Sequence, residues 1–319
     1  MLLLHSLSDV SANNVGLYEL FSAKWGRENT IVWGRSRHAD FGPYPHTLSI
    51  RAVWNGTQHC HVNGRTIAVD DDNFLILKGG RTCATSIRAA HPVESLTICF
   101  RPDLVDLVHC EAQIALEDAL DRGGVAPRAF PDFIEGLQPH EGSVSPVLRY
   151  IRAHLRRGLV DDAWYEEQLV FLLERMRSHQ TKLLKQIDRL ALIRRSTRRE
   201  AYRRISLATD FLHAHYARDV DLTTLAGMAC LSKYHFLRLF TLIHGITPLS
   251  YLQRKRAAVA IRLLESTQMS ISEVASSVGF AHESTLLRHV RRRTTLSPRQ
   301  IRTRVFSGQR AGAFAIPAR

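Results

Sequence analysis

Two stretches in the last third of the chain carry side chains that can read base edges. Behind Ser232, the residues Lys233, Tyr234, Arg238 and Thr241 recur at helical spacing; further on, Glu283, Ser284, Thr285, Arg288, Arg291 and Arg292 do the same. Arginine donates a bidentate pair of hydrogen bonds to guanine in the major groove, serine and threonine reach bases or phosphates, and glutamate accepts from cytosine N4. Interleaved apolar residues, Phe236, Leu239 and Phe240 in the first stretch and Leu286, Leu287 and Val290 in the second, would hold each helix to a body and leave the polar face outward. A third group, His59-Cys60-His61, offers metal-ligand residue types at positions i and i+2, which share one face of a strand. Cys60 could be thiol-reactive, although an ordinary buried strand cysteine is the commoner case.

The two base-reading stretches each close a repeated unit. Leu225-Ala226 matches Val274-Ala275 at an offset of 49, while Phe236, Arg238, Phe240 and Pro248 match Leu286, Arg288, Val290 and Pro298 at an offset of 50. The second unit therefore has one extra residue in its turn. Each unit reads as a short helix, a tight turn and a second helix. Asp221 and Ser232 stand where they can cap the helices of the first unit, and Ser270 with Glu273 forms a capping box in the second. Between the units, Pro248 to about Glu265 reads as a connecting helix with Leu249, Leu252, Val259, Leu263 and Leu264 on its apolar face. About 18 residues at ~1.5 Å rise span ~27 Å, against ~34 Å between successive major-groove faces of DNA. A connector of this length can seat two recognition helices in adjacent grooves, so one subunit could read two half-sites.

Charge supports that partner. Residues 1–180 hold 18 Lys+Arg against 22 Asp+Glu, a net of −4, whereas residues 181–319 hold 25 against 8, a net of +17. A mildly acidic front joined to a strongly basic rear points to a polyanion. The chain of 319 residues is long enough for two domains, no apolar run reaches the ~18 residues of a membrane span, and Met1 to Leu4 lacks the basic lead of a secretory signal. Five cysteines, none in a CxxC pair, fit a reducing, cytoplasmic setting and argue against a disulfide framework or structural zinc.

The front half reads as β-structure. Turn signals at Asn55-Gly56, Asn63-Gly64, Asp71-Asp72 and Gly79-Gly80 fall eight residues apart. They separate short runs at 48–54, 57–62, 65–69 and 74–77, with two more at 82–88 and 94–100. Such spacing predicts an antiparallel sandwich or a small barrel, and small barrels often enclose a ligand-sized cavity. Trp33, Tyr44, Trp54 and Phe74 are candidate pocket-lining aromatics, with His59 and His61 beside them. Helix begins at Pro102, a polar loop is expected over about 121–146, and Leu169, Leu172, Met176, Leu183, Ile187 and Leu190 form one apolar helix face beyond Asp161-Asp162. That face packs on its own barrel or on a second subunit. Arg194, Arg195, Arg198, Arg199, Arg203 and Arg204 mark the junction of the two halves.

From Arg204 to Arg302 the sequence resembles the AraC/XylS family of bacterial transcription regulators. Leu225-Ala226, Leu231-Ser232, Phe236, Arg238, Phe240, Gly245, Pro248, Tyr251-Leu252, Arg256, Leu263-Leu264, Ile271, Ala275, Val278-Gly279-Phe280, Pro298 and Arg302 follow the family's pattern in order. The second unit departs from it: Leu286 and Val290 replace Phe, Thr295 replaces Gly, Ile301 replaces Tyr, and His282 stands at a capping position where Asp or Ser is usual. The resemblance implies base contacts from Tyr234, Arg238, Ser284, Thr285 and Arg288. It also implies a cupin-like front domain that binds a small-molecule effector and dimerises, an RNA polymerase partner, and activation as the commoner outcome. Enzymatic cupins would continue the His-x-His with a Glu and a later His. Here Val62, Asn63, Gly64 and Arg65 follow, and Gly79-Gly80-Arg81 brings no His.

These readings predict an α+β chain. Residues 1–190 form a cupin-like antiparallel barrel with a helical extension, 191–203 a basic linker, 204–305 an all-α double helix-turn-helix domain, and 306–319 a disordered tail. The expected function is sequence-specific regulation of transcription on double-stranded DNA by a cytoplasmic homodimer, with no enzyme activity, cofactor or metal. The rivals are a cupin-type metal enzyme fused to a DNA-binding module and a non-specific basic scaffold.

Overall fold

The computed structural model describes residues 2–5, 27–108, 133–140, 142–159, 161–189 and 195–306. Cys110, Leu190, Arg194, the stretch 121–132 and the tail from 307 onward lie outside them. The chain divides into two compact units, Met1–Arg189 and Leu190–Arg319.

Eight strands build one antiparallel sheet in the first unit: β1 (Leu2–His5), β2 (Thr30–His46), β3 (Ser49–Trp54), β4 (Thr57–Val62), β5 (Arg65–Asp70), β6 (Asn73–Leu77), β7 (Arg81–Cys99) and β8 (Gly136–Pro139), with β1 alone lying parallel to its neighbour. The predicted turns are where the chain reverses. Asn63 and Gly64 both take positive φ, 52° and 71°, the hairpin geometry that Asn-Gly favours. One expectation about the strands needs correction. The runs at 82–88 and 94–100 are one strand, because β7 pairs with β2 along almost its whole length, from Thr30–Cys99 to His46–Arg81. Register shifts between Ser36 and His38 and between Phe41 and Tyr44 mark bulges in this ladder, and bulges bend and twist a strand. On its other edge β7 meets β3 through residues 94–99 and β4 through residues 83–86. One bent strand thus serves two groups of strands and curls the sheet into a nearly closed barrel.

The sheet has two apolar faces. Ile50, Ala52, Trp54, Phe74, Ile76, Leu96 and Ile98 meet two helices, α1 (Val144–Arg156) and α2 (Asp162–Asp188). Val53, Cys60, Val62, Ile67, Val69, Leu75, Leu77, Cys83, Ile87 and Val93 point the other way, into the barrel. Asp161 caps α2 by accepting from the Trp164 backbone N–H at 3.0 Å. Leu169, Leu172, Leu173 and Met176 of α2 are buried in the same cluster as the sheet, so this part of the apolar face packs within the chain. Gln180, a polar residue between Met176 and Leu183 on that face, is fully buried and its Oε1 accepts from the Ile134 N–H at 3.0 Å. The loop expected over 121–146 instead contains β8 and the start of α1. Four described cysteines, Cys60, Cys83, Cys99 and Cys230, are free thiols.

The second unit is helical: α3 (Arg195–Ala214), α4 (Leu222–Met228), α5 (Lys233–His244), α6 (Pro248–Ser266), α7 (Ile271–Ser277), α8 (Glu283–Thr294) and α9 (Pro298–Phe306). The arginine-rich stretch expected to be a linker is helical from Arg195 onward. Two arginines at its end pair with Glu200, which accepts from Arg203 at 2.8 Å and Arg204 at 2.7 Å. No helix among the described residues is long and apolar enough to cross a membrane.

Candidate nucleic-acid interface

Each helix-turn-helix is assembled from the same local parts. Leu225 and Ala226 of α4 are buried, as are Val274 and Ala275 of α7. The turns superpose in their backbone bonds: Leu231 N–H donates to Ala226 O at 2.9 Å, and Phe280 N–H donates to Ala275 O at 2.9 Å. This register holds the offset of 49 through Phe280, so the extra residue is Ala281, immediately before the cap of α8. Both turns need a left-handed residue, Cys230 at φ 50° and Gly279 at φ 85°. Only the second is also crowded, since a Cβ on Gly279 would lie 2.5 Å from Ala217 O.

Capping is complete in the first unit and deficient in the second. Asp221 accepts from Thr224 N–H at 2.6 Å, and Ser232 from His235 N–H at 3.3 Å. The backbone N–H of Thr224 holds the Asp221 carboxyl below its ordinary range. Ser270 and Glu273 form the predicted reciprocal box, and the Ser270 backbone N–H lowers the Glu273 carboxyl in the same way. His282 makes no side-chain cap bond at the start of α8; the Thr285 N–H there donates to the His282 backbone carbonyl at 3.1 Å instead. α5 ends on Gly245 at φ 69°, and α8 ends on Thr295 at φ 58°. A β-branched residue is strained in that region.

The second helix of each unit is divided between an anchored and an open face. Phe236 and Phe240 of α5, and Leu286 and Val290 of α8, are fully buried. Opposite them, Lys233, Tyr234 and Arg238 are exposed and Thr241 half-buried; Tyr234 is 71% exposed. On α8, Glu283, Ser284, Arg288, Arg291 and Arg292 are exposed and Thr285 half-buried, while Ser232 is exposed at the head of α5. All eleven candidate contact residues therefore fall on or beside open faces. Sequence reading missed Leu237, an exposed leucine one turn from Tyr234 and Thr241. Its spacing of i+3 and i−4 to those residues was the available signal, and a thymine methyl is a partner such a side chain could take. Arg238, Arg288, Arg291 and Arg292 form no ion pair among the described residues, so their charge faces outward.

Buried polar links fix the two units to one frame. Arg256 on α6 donates to Tyr216 O and Arg218 O, both at 2.7 Å, and lies 6.0 Å from the Phe280 ring. Arg302 donates to Met269 O. His244 at the end of α5 shares a 3.0 Å hydrogen bond with Thr209, and burial pushes its imidazole down to about 4. It is therefore neutral at physiological pH. The connector α6 has 19 residues, ~28 Å of rise, close to the predicted reach.

The front unit corrects the pocket expectation. Trp54 and Phe74 belong to the face packed on the helices, and Trp33 packs against the same cluster. Arg152 stacks on the Trp54 ring at 4.3 Å, and Phe74 contacts the rings of His140 and His179. Along β4, Gln58, Cys60 and Val62 are buried while His61 is exposed and His59 half-buried. The period-two alternation thus turns His59 and His61 outward. His61 bonds Thr66 at 3.0 Å and Ser86 at 3.3 Å, and no cluster of three metal-ligating residues exists among the described residues. Of the aromatics considered, Tyr44 is the one whose strand position, opposite Cys83, gives it the interior face.

Two helix-turn-helix units on one frame, each offering an open, cationic helix face, define a double helix-turn-helix domain. The helix-turn-helix domain family matches residues 225–304. The regulator AlkR of Acinetobacter baylyi is 33% identical over 98 residues, which cover 31% of this chain and 32% of that protein. The activator RhaS of an Enterobacter species is 35% identical over 120 residues, covering 35% and 42%. Among solved structures, the DNA-binding domain of AdpA in complex with a target DNA is 33% identical. That match covers 33% of this chain and 96% of that one, with a TM-score of 0.31. The chain spans about a third of the length of the AlkR relative it matches.

Proposed function

We propose that this protein is a sequence-specific regulator of transcription that binds double-stranded DNA through α5 and α8 and senses a small molecule in its N-terminal barrel. The observation that carries this reading is the duplicated helix with four fully buried apolar anchors, Phe236, Phe240, Leu286 and Val290, and a cationic face opposite each. Arg238 and Arg288 read bases, with Tyr234, Thr241, Ser284 and Thr285 beside them. Ser232, Lys233, Glu283, Arg291 and Arg292 stand nearer the backbone or the groove rim. The effector acts by favouring one arrangement of the DNA-binding units over another, a population shift with no chemical step. Homodimerisation, contact with RNA polymerase, activation and a cytoplasmic site of action belong to the same reading and rest on the family resemblance. No enzyme activity is part of it: His59 and His61 face outward from the barrel, and His61 is engaged there by Thr66 and Ser86.

The test compares affinity for an enriched site with affinity for random duplex at near-physiological salt. A specific regulator gives a ratio on the order of 10³ or more. Arg238→Ala costs ~1–3 kcal/mol on the enriched site alone. A ratio near one, or equal weakening on both duplexes, identifies a basic scaffold instead.

A further inference from the structure

Two cysteines on neighbouring strands meet inside the barrel. Cys60 on β4 and Cys83 on β7 are fully buried free thiols. The ladder sets Cys60 opposite Thr85 and Val62 opposite Cys83, so the two cysteines are diagonal neighbours on the interior face. Their side chains share a hydrogen bond. Arg51 on β3 is buried beside them. Its Nη2 donates to the Tyr44 hydroxyl at 2.9 Å, and its Nε has no hydrogen-bond partner. A guanidinium stays protonated, and burying it without a counter-ion is costly. The groups facing it that can turn anionic are the Tyr44 hydroxyl and the thiols of Cys60, Cys83 and Cys99. Burial pushes Tyr44 up, and Cys99 up to about 12. The hydrogen bond to Cys83, together with burial, raises Cys60. Cys83 moves the other way. The hydrogen bond from Cys60, with the charge of Arg51, brings it down to about 7 against burial and the Glu135 carboxylate. Cys83 is therefore the side chain that balances Arg51, as a thiolate.

We propose that Cys60 and Cys83 are a redox-active pair, which hydrogen peroxide converts into an intramolecular disulfide tying β4 to β7. The Cys83 thiolate attacks one peroxide oxygen and the O–O bond breaks. That oxygen stays on sulfur as a sulfenic acid; the other leaves as hydroxide and takes up the proton that Cys83 released on ionising. The Cys60 sulfur then attacks the Cys83 sulfur, and its proton departs with the hydroxyl as water. Two thiols and one peroxide give one disulfide and two waters, two electrons passing from sulfur to oxygen. A thiolate beside a cation is the setting that makes a cysteine reactive. The reaction needs no standing cavity. The β4–β5 hairpin joins the sheet through the pairing of residues 59–62 with 83–86, and β5 pairs with β4 alone, so local opening of this hairpin bares both sulfurs to a molecule the size of water. A diagonal pair is spaced more widely than a directly opposed one. Closing the bond therefore draws β4 along β7, and a disulfide closed in that way is readily reduced again. The proposal stands apart from the reading of the barrel as a small-molecule sensor.

The experiment treats the reduced full-length protein with a small excess of hydrogen peroxide, blocks the remaining thiols with N-ethylmaleimide in denaturant, and maps the unreduced peptides by mass spectrometry. The peptides carrying Cys60 and Cys83 should appear joined, two hydrogen atoms lighter than their sum, and dithiothreitol should restore both thiols. Cys60→Ala should halt the reaction at a Cys83 sulfenic acid, trapped by dimedone, whereas Cys83→Ala should leave Cys60 a thiol. The wild-type map decides the question even where a variant fails to fold. Cys60 and Cys83 both recovered as thiols while the exposed Cys230 is oxidised would overturn the proposal. So would a bond from Cys83 to Cys99, bridges found only between two chains, or a sulfenic acid trapped on Cys60 in Cys83→Ala.

Discussion

Glu94→Gln should selectively weaken the barrel unit, and its effect should fade in acid. Glu94 lies on β7 with its carboxylate fully buried. It accepts from Arg152 at 2.6 Å, from Arg156 Nε at 3.0 Å and from the Trp33 indole N–H at 3.0 Å. Burial alone would raise its pKa, but the hydrogen bonds from Arg152, Arg156 and Trp33 outweigh that and bring it from 4.5 to about 2. That difference corresponds to ~3 kcal/mol of stability at neutral pH. Because the folded-state value is the depressed one, the contribution is present above pH 4.5 and is lost as pH falls toward 2. Glutamine keeps the shape but cannot neutralise two arginines, so the loss at pH 7 should be about 3 kcal/mol. By pH 3 the gap between wild type and variant should shrink to less than half. Urea unfolding followed by tryptophan fluorescence measures this without interference from the C-terminal unit. A loss below about 1 kcal/mol at pH 7, or a loss unchanged between pH 7 and pH 3, would refute the reasoning that this ion cluster ties α1 to the sheet.

Three further outcomes concern the DNA-binding unit. Repairing α8 should stabilise it: His282→Ser supplies the missing cap and Thr295→Gly relieves the left-handed threonine, each adding ~1 kcal/mol, read by circular dichroism melts of the full chain. Gly279→Ala should do the reverse, because its methyl would meet Ala217 O at 2.5 Å at a positive φ; we expect a loss of ~2 kcal/mol or more in the same melts. Arg291→Ala and Arg292→Ala should weaken binding to all duplexes alike, each reducing the salt-dependence slope by ~1, measured by fluorescence anisotropy across a salt titration.

The second half was legible because its signals are local and repeated. Caps at Asp221, Ser232, Ser270 and Glu273, the proline opening α6, and the anchors Phe236 to Val290 are set by spacing within one or two turns, and duplication doubled each signal. Arg256 was visible as a pattern position but not as a clamp, since its carbonyl partners, Tyr216 and Arg218, lie about forty residues away. In the front half the hairpin turns were readable, whereas the long ladder of β2 with β7 was not, because its pairing joins residues up to 69 positions apart. The aromatics expected to face the barrel interior were misplaced for a related reason. Aromatic character suggested Trp54 and Phe74, but strand parity decides which face enters the barrel, and it gave that face to Arg51, an arginine that composition would assign to the surface.

In the proposed function one chain reads two successive grooves with two helices. Its most direct test is selection of binding sites from a random duplex library, run in parallel with the wild type, Arg238→Ala and Arg288→Ala at near-physiological salt. The wild type should enrich two sequence blocks about one helical turn apart, and each variant should erase the preference in a different block. No enrichment, or two variants that blur both blocks equally, would contradict the account.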